Sequence, residues 1–281
     1  MSDDTDHSKQ VKLTEAFEAA TPRPTGHMEL FGIHTRLIVP GDDLPRLLVA
    51  ALKDARIRPR DGDVLVVAES AVATAERRIF ELAAVEPSDE ARKMSAEWGL
   101  PVEQAHLVLQ EADQVLGACD GVVLALKDGV LLANAGLDIS NAPPGYAVGL
   151  PKNPNSSAGA IRMALLTAFA ANVGVVIADS RVLPLRLGCV GVALGTSGFE
   201  AVEDDRGKTD LFGRALSMTR VALADNIASA AELLMGETDR QVPTVLVRGA
   251  PISLSEREGV PLVREDQCVY MGVLRRGDRS R

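Results

Sequence analysis

The stretch Gly121–Asn141, GVVLALKDGVLLANAGLDISN, holds two apolar runs separated by Asp128-Gly129. That dipeptide favours the tight primed turn of a two-residue hairpin, so the stretch predicts two antiparallel strands. Asp138 then falls just past the second strand, in a loop that ends at the breaker Pro143-Pro144-Gly145. Elsewhere GDVLVVAE (62–69), a short apolar run bounded by turn residues, reads as a buried strand, and VGVVIAD (173–179) as a strand of continuous apolar residues. Strands and helical segments thus mix in no regular alternation and without a repeat. The class is mixed α/β, or α+β, and pattern alone does not give the topology.

The helical segments carry start signals. GDDLPRLLVAALKDARI (41–57) has Asp42 or Asp43 as a cap and Leu44, Leu47, Leu48 and Leu52 on one face. SDEARKMSAEWG (88–99) opens on Ser88, and PVEQAHLVLQEADQVL (101–116) opens on Pro101. NSSAGAIRMALLTAFAAN (155–172) starts at an Asn or Ser cap, and a long helix is expected over 210–236. MELFGIHT (28–35), CVGVALGTSG (189–198) and PTVLVRG (243–249) read as strands. Residues 1–27 are polar and predict a flexible extension, with a short helical possibility at LTEAFEAA (13–20); the folded domain is expected over 28–281.

Composition narrows the function classes. With 281 residues, 46% apolar and only 3% aromatic, the core must be built from Val, Leu, Ile and Ala. A formal net charge of -9 without a basic tract argues against nucleic-acid binding. Cys119, Cys189 and Cys268 show no paired spacing, which fits free thiols in a reducing cytoplasm. No run approaches the ~18 apolar residues of a membrane span.

RGKTD (206–210) resembles the end of a Walker A loop, but Val202 stands where that motif needs glycine. GxGxxG, HExxH and GxSxG are absent, and the four histidines do not cluster. His106 lies on a helix among apolar residues, as a satisfied histidine does. No catalytic nucleophile with its own base can be named. What remains is oxygen chemistry: Asp138 after a hairpin strand, Asp179 at the end of VGVVIAD with Ser180 beside it, and Glu237 after the long helix. Mg²⁺ or Mn²⁺ takes such hard ligands, although loop acids more often cap turns.

At these same residues the sequence resembles the coenzyme F420-0:L-glutamate ligase family, from about Met28 to Gly249. NAGLDISN (134–141), LPKNPNSSAGAIR (150–162), VGVVIADS (173–180), GRALSMTRVALADNIASAAELLMGE (213–237) and PTVLVRG (243–249) follow the family's order and spacing. The resemblance implies an F420 glutamyl ligase-like fold in an intertwined homodimer. It implies GTP as co-substrate, coenzyme F420-0 and L-glutamate as partners, a divalent Mg²⁺ or Mn²⁺, and a monovalent cation such as K⁺. By motif match it assigns the metal to Asp138, Asp179, Ser180 and Glu237. The nucleotide goes to Thr35, Arg36, Leu37, Ile38, Asn141 and Met235.

Three departures stand out against the family pattern. Its Ser-Lys pair is Ala73-Thr74 here, its Gly-Arg after the metal-binding strand is Val182-Leu183, and its Asp-Pro-Asp loop is Asn153-Pro154-Asn155. They keep a second reading open. In it the chain is a divergent paralogue, either a ligase with another acceptor or amino acid, or a non-catalytic protein that binds metal or the deazaflavin.

Overall fold

The computed structural model describes residues 26–140 and 142–278, with side chains of the last helix described up to Val273. The expected extension therefore lies outside the described residues except for Gly26 and His27, as does Asn141. In chain order the strands are β1 (Glu29–Ile33), β2 (Val64–Ala68), β3 (Ile79–Glu81), β4 (Gln114–Cys119), β5 (Val122–Lys127), β6 (Val130–Ala133) and β7 (Tyr146–Val148). They continue with β8 (Gly174–Val182), β9 (Cys189–Phe199), β10 (Glu203–Asp204), β11 (Arg220–Val221), β12 (Thr244–Arg248) and β13 (Leu254–Glu258). The α-helices are α1 (Leu44–Asp54), α2 (Glu69–Ala75), α3 (Asp89–Trp98), α4 (Val102–Glu111), α5 (Pro154–Phe169), α6 (Leu223–Met235) and α7 (Val269–Asp278).

A six-stranded sheet in the order β1-β12-β2-β8-β9-β13 organises the molecule. Its strands pair antiparallel except β2 with β8, which run parallel. The mixed α/β class is therefore observed. The continuous apolar run of β2 is explained by what covers it: Leu65 and Val67 join a cluster with Leu48, Leu52, Ile161 and Leu165 of α1 and α5. Val64 and Val66 face the other way, onto Ala228 and Ala231 of α6. A strand buried on both faces has no polar side to alternate with. Each fully buried Leu or Val contributes about 1.5–3 kcal/mol relative to exposure.

A third apolar cluster lies beneath α3 and α4, where Met94, Leu107 and Val108 meet Val123 and Ala125 of the sheet β4-β5-β6. The predicted hairpin is β5-β6, with Asp128 (φ 51°) and Gly129 (φ 74°) both left-handed as the primed turn requires. Ser88 caps α3, accepting the Ala91 N–H, and its own N–H is accepted by His106 Nδ1. Asp43 caps α1 through the Arg46 N–H.

Four expectations are corrected. The helix read over 101–116 stops at Glu111, because Asp113 donates its N–H to Leu126 and Gln114–Cys119 pairs with β5. The long helix shrinks to Leu223–Met235, since Asp210 accepts the N–H groups of Phe212 and Arg214 in a turn, and β10 pairs with β11. Asp179 does not end its strand; β8 continues to Val182 against β9. Helix α5 is capped two residues before the stretch read as helix, by Asn153 accepting the Ser156 N–H. Beyond β12, β13 extends the sheet edge and α7 follows.

The loop that carries Asp138 is held from within. Gly136 has φ of +78°, and a Cβ there would run into the buried Leu150 side chain. Gly136→Ala is expected to destabilise the protein by about 1–3 kcal/mol through strain and overpacking, read as a lowered urea midpoint.

Candidate functional site

Strand register sets what meets at one edge of the sheet. Ile33 pairs with Thr244, Thr244 with Val67, Val67 with Ile177, and Ile177 with Gly195, forming one hydrogen-bonded row. β1, β2 and β8 all point the same way, so the segments after Ile33, after Ala68 and around Asp179 emerge at the same edge. Sites in open mixed sheets gather beyond the carboxyl ends of parallel strands. A register shift in the β8–β9 pairing between Ile177 and Ala178 bends the ladder just before Asp179.

Glu69 and Asp179 follow the paired residues Ala68 and Ala178, which puts two carboxyl groups side by side. Asp138 is pinned close by: its N–H donates to the Val148 carbonyl at 2.9 Å and its own carbonyl accepts the Val148 N–H at 2.7 Å. One carboxylate oxygen accepts the Ser140 N–H at 2.7 Å, the Asx-turn a loop aspartate favours. The Asp138 charge acts on both Glu69 and Asp179. Ser180 Oγ donates to Glu237 Oε2 at 3.2 Å. Glu237 in turn shares a hydrogen bond with Glu232 from the last turn of α6.

Five acids are thus linked in one chain of contacts and charge effects, and Arg181 answers one of them, its Nε donating to Asp179 Oδ2 at 3.0 Å. Its buried Nη2 has no partner among the described residues. The electrostatic consequence is crowding of like charge. Burial, then Asp179 and Asp138, push the Glu69 carboxyl up to about 8. Burial also raises Asp179, against the pull of Arg181. Burial and the hydrogen bond to Glu237 lift Glu232 to about 7.

The structure brings Asp138, Asp179, Ser180 and Glu237 to this edge. Glu69 and Glu232 join them, and sequence reading missed both. Glu69 closes the GDVLVVAE run, but among 39 acids only the parallel pairing of β2 with β8 distinguishes it. The donor chemistry, hard oxygens with surplus negative charge, fits a divalent cation. Among the described residues no three such side chains are drawn close enough to clasp an ion as they stand.

The segment Thr35–Ile38 lies beside an open cleft of about 810 Å³ formed with α1. Arg36 is not free there: it holds Asp42 through two bonds of 2.7 and 2.8 Å. The Arg36 bond, with the Val39 N–H, keeps the Asp42 carboxyl down at about 2. Leu37 is exposed, while Ile38 packs on the core. Met235 is buried in the cluster beneath α6. Lys208 of the rejected P-loop is tied to Glu203 and Asp205.

The departures also acquire surroundings. Ala73 is fully buried on α2. Glu76 anchors the start of α5 by accepting Ser157 Oγ at 2.5 Å and the Lys152 N–H at 3.0 Å. Arg78 is spent on Glu111 and the Leu150 carbonyl. Asn155 accepts the Thr196 N–H, so the Asn-Pro-Asn loop caps and docks α5.

Fold and site together define a mixed α/β protein with an oxygen-rich, strongly acidic site at a strand-end edge. The family model described as F420-0:Gamma-glutamyl ligase matches residues 32–249, and the chain belongs to that family. It is 40% identical over 225 residues to a coenzyme F420:L-glutamate ligase of Methanopyrus kandleri, covering 80% of this chain and 87% of the relative. The protein of the same name from Methanothermobacter thermautotrophicus is 38% identical, covering 81% and 92%. That from Archaeoglobus fulgidus is 39% identical, covering 77% and 85%. No helix among the described residues is long and apolar enough to cross a membrane.

A carboxyl whose folded pKa is raised binds more protons folded than unfolded, so stability is lost as pH rises toward the folded value. With Glu69 at about 8 against an ordinary 4.5, the window is roughly pH 4.5 to 8. In chelator, the urea midpoint is expected to fall steadily from pH 5 to 8, and Glu69→Gln should flatten that slope. A wild-type midpoint that stays level would contradict the crowding.

Proposed function

We propose that this protein is a GTP-dependent ligase that joins L-glutamate to the side-chain carboxylate of coenzyme F420-0. Family membership over residues 32–249 supports the reaction class. The observation that carries the site is the meeting of Asp138 and Asp179 beside the ends of parallel strands β2 and β8.

In the first step a carboxylate oxygen of F420-0 attacks the γ-phosphorus of GTP, and GDP leaves with the bridging electron pair. In the second the free amine of L-glutamate attacks the acyl carbon, the C–O bond breaks, phosphate departs, and the amine gives up a proton. Asp138, Asp179, Ser180 and Glu237 would hold Mg²⁺ or Mn²⁺, which when bound neutralises charge on the phosphates. The segment Thr35–Ile38 and the turn after Met235 would border the nucleotide, with Asn141, outside the described residues, facing it by motif. A monovalent cation such as K⁺ completes the set by resemblance.

A homodimer belongs to the same proposal. The turn joining β8 to β9 exposes Val182, Leu183, Leu185 and Leu187, and the last two are fully open to solvent. A clustered apolar tip of this kind marks an interaction surface, and a second copy of the chain is the occupant proposed. Leu185→Asp with Leu187→Asp should shift the mass in solution from dimer to monomer, read by light scattering; an unchanged dimer would place the interface elsewhere.

The second reading, a paralogue with altered or lost activity, has its own support. Thr74 replaces the family lysine, and Arg36, Arg78 and Arg181 are each tied to a carboxylate. A lysine charge on a desolvated phosphate is worth about 2–4 kcal/mol.

The deciding test is calorimetric titration of GTP with and without Mn²⁺, followed by phosphate release with F420-0 and L-glutamate. Metal-dependent micromolar binding is expected, abolished by Asp138→Asn and Asp179→Asn without loss of fold. Thr74→Lys is expected to raise turnover on the order of tenfold or more, by the same lysine–phosphate energy. Absent GTP and ATP binding would leave the non-catalytic paralogue as the reading.

A further inference from the structure

We propose a second ligand site on this chain, an arginine-lined cleft for a small polyanion at the sheet edge opposite the acidic site. The cleft, about 480 Å³, is formed by the segment after α1 together with Phe31 and Arg248. That segment reads Arg56-Ile57-Arg58-Pro59-Arg60. Its alternation sorts the side chains: Pro59 is buried and Ile57 half-buried, while the three arginines are exposed. None of their guanidinium groups has a hydrogen-bonding or ionic partner among the described residues. On a chain of net charge -9, three unpaired arginines within five residues are a local reversal of the field.

The frame behind them is rigid. Arg248 is held by the buried Asp63 through bonds of 3.0 and 2.7 Å, and donates to the Arg58 carbonyl at 3.0 Å. It also lies over the Phe31 ring at 5.4 Å. Asp63 accepts the Arg60 N–H at 2.9 Å, which fixes the turn, and Asp61 accepts the Asn172 N–H. Of the nearby acids, Asp63 is answered by Arg248, and Glu29, which adds its charge near Arg248, is solvent-exposed. The cleft therefore presents more positive than negative charge on a backbone that need not reorganise.

Position separates it from the ligase chemistry. Arg248 pairs with Glu29 at one end of β12, whereas Thr244, at the other, shares the row that opens on the acidic edge. Four residues of strand are roughly 13 Å. Arginine forks take phosphate or carboxylate pairs bidentately, so the ligand class is a compact molecule with two or more adjacent anionic groups, a phosphate chain or a polycarboxylate.

The test is calorimetry of the full chain, stripped of metal with EDTA and then dialysed free of chelator, with inorganic tripolyphosphate and citrate as probes. Stripping removes metal-assisted binding at the acidic edge, and Asp179→Asn serves as a control that should bind like wild type. One tripolyphosphate per chain is expected, weakening as salt rises, and binding should fall at least tenfold in R56A/R58A/R60A. R58K/R60K keeps the charge and should lose part of the affinity if bidentate contact matters. Tighter citrate than tripolyphosphate would assign the cleft to polycarboxylates. Binding that is absent in wild type, or unchanged in a folded triple-alanine variant, would overturn the site. Neither result bears on GTP binding at the acidic edge.

Discussion

Parallel pairing of β2 with β8 is the constraint on which the rest of the molecule depends. It is the one parallel contact in the six-stranded sheet, and both strands are sandwiched between helices on two faces. Because the strands run together, their ends deliver Glu69 and Asp179 to the same level. An antiparallel pairing would send one of these acids to the far edge. The burial that makes the pairing stable also lowers the local dielectric response, so the acids delivered there repel strongly.

That repulsion links packing to chemistry. Carboxyl groups crowded in this way are costly unless protons or a counter-charge relieve them. Burial raises the Glu69 and Glu232 carboxyls, with the neighbouring acids adding to it, so each holds its proton more tightly than an ordinary carboxylate. Hard oxygen donors with surplus negative charge are the donor chemistry that divalent ions take. Arg36, Arg78 and Arg181 are tied to Asp42, Glu111 and Asp179, so each is already spent on a carboxylate.

The family's departures are absorbed locally. Asn153 and Asn155 cap and dock α5 as acceptors, a role that a carboxylate oxygen serves equally well. Val182 and Leu183 sit on an exposed apolar turn. Ala73 is fully enclosed, so the change at Ala73-Thr74 alters a packed helix as well as a charge.

Local chemistry made much of this legible. Asp128-Gly129 dictated its hairpin because only a left-handed pair closes that turn, and Ser88, Asp43 and the apolar runs marked elements through caps and burial. Asp138, Asp179, Ser180 and Glu237 could be singled out by motif. What the sequence did not carry was adjacency. Gln114–Leu116 reads as the end of a helix because its pairing with β5 is a contact between segments. The stretch 210–222 was read as helix because the Asp210 turn competes with periodicity. Glu69 stayed hidden among 39 acids until strand register set it against Asp179. The sequence by itself determined which segments extend, coil or turn, since those preferences act over a few residues. Only the tertiary structure decided which acids share a field and which arginines remain free, because charge interactions depend on through-space distance and burial.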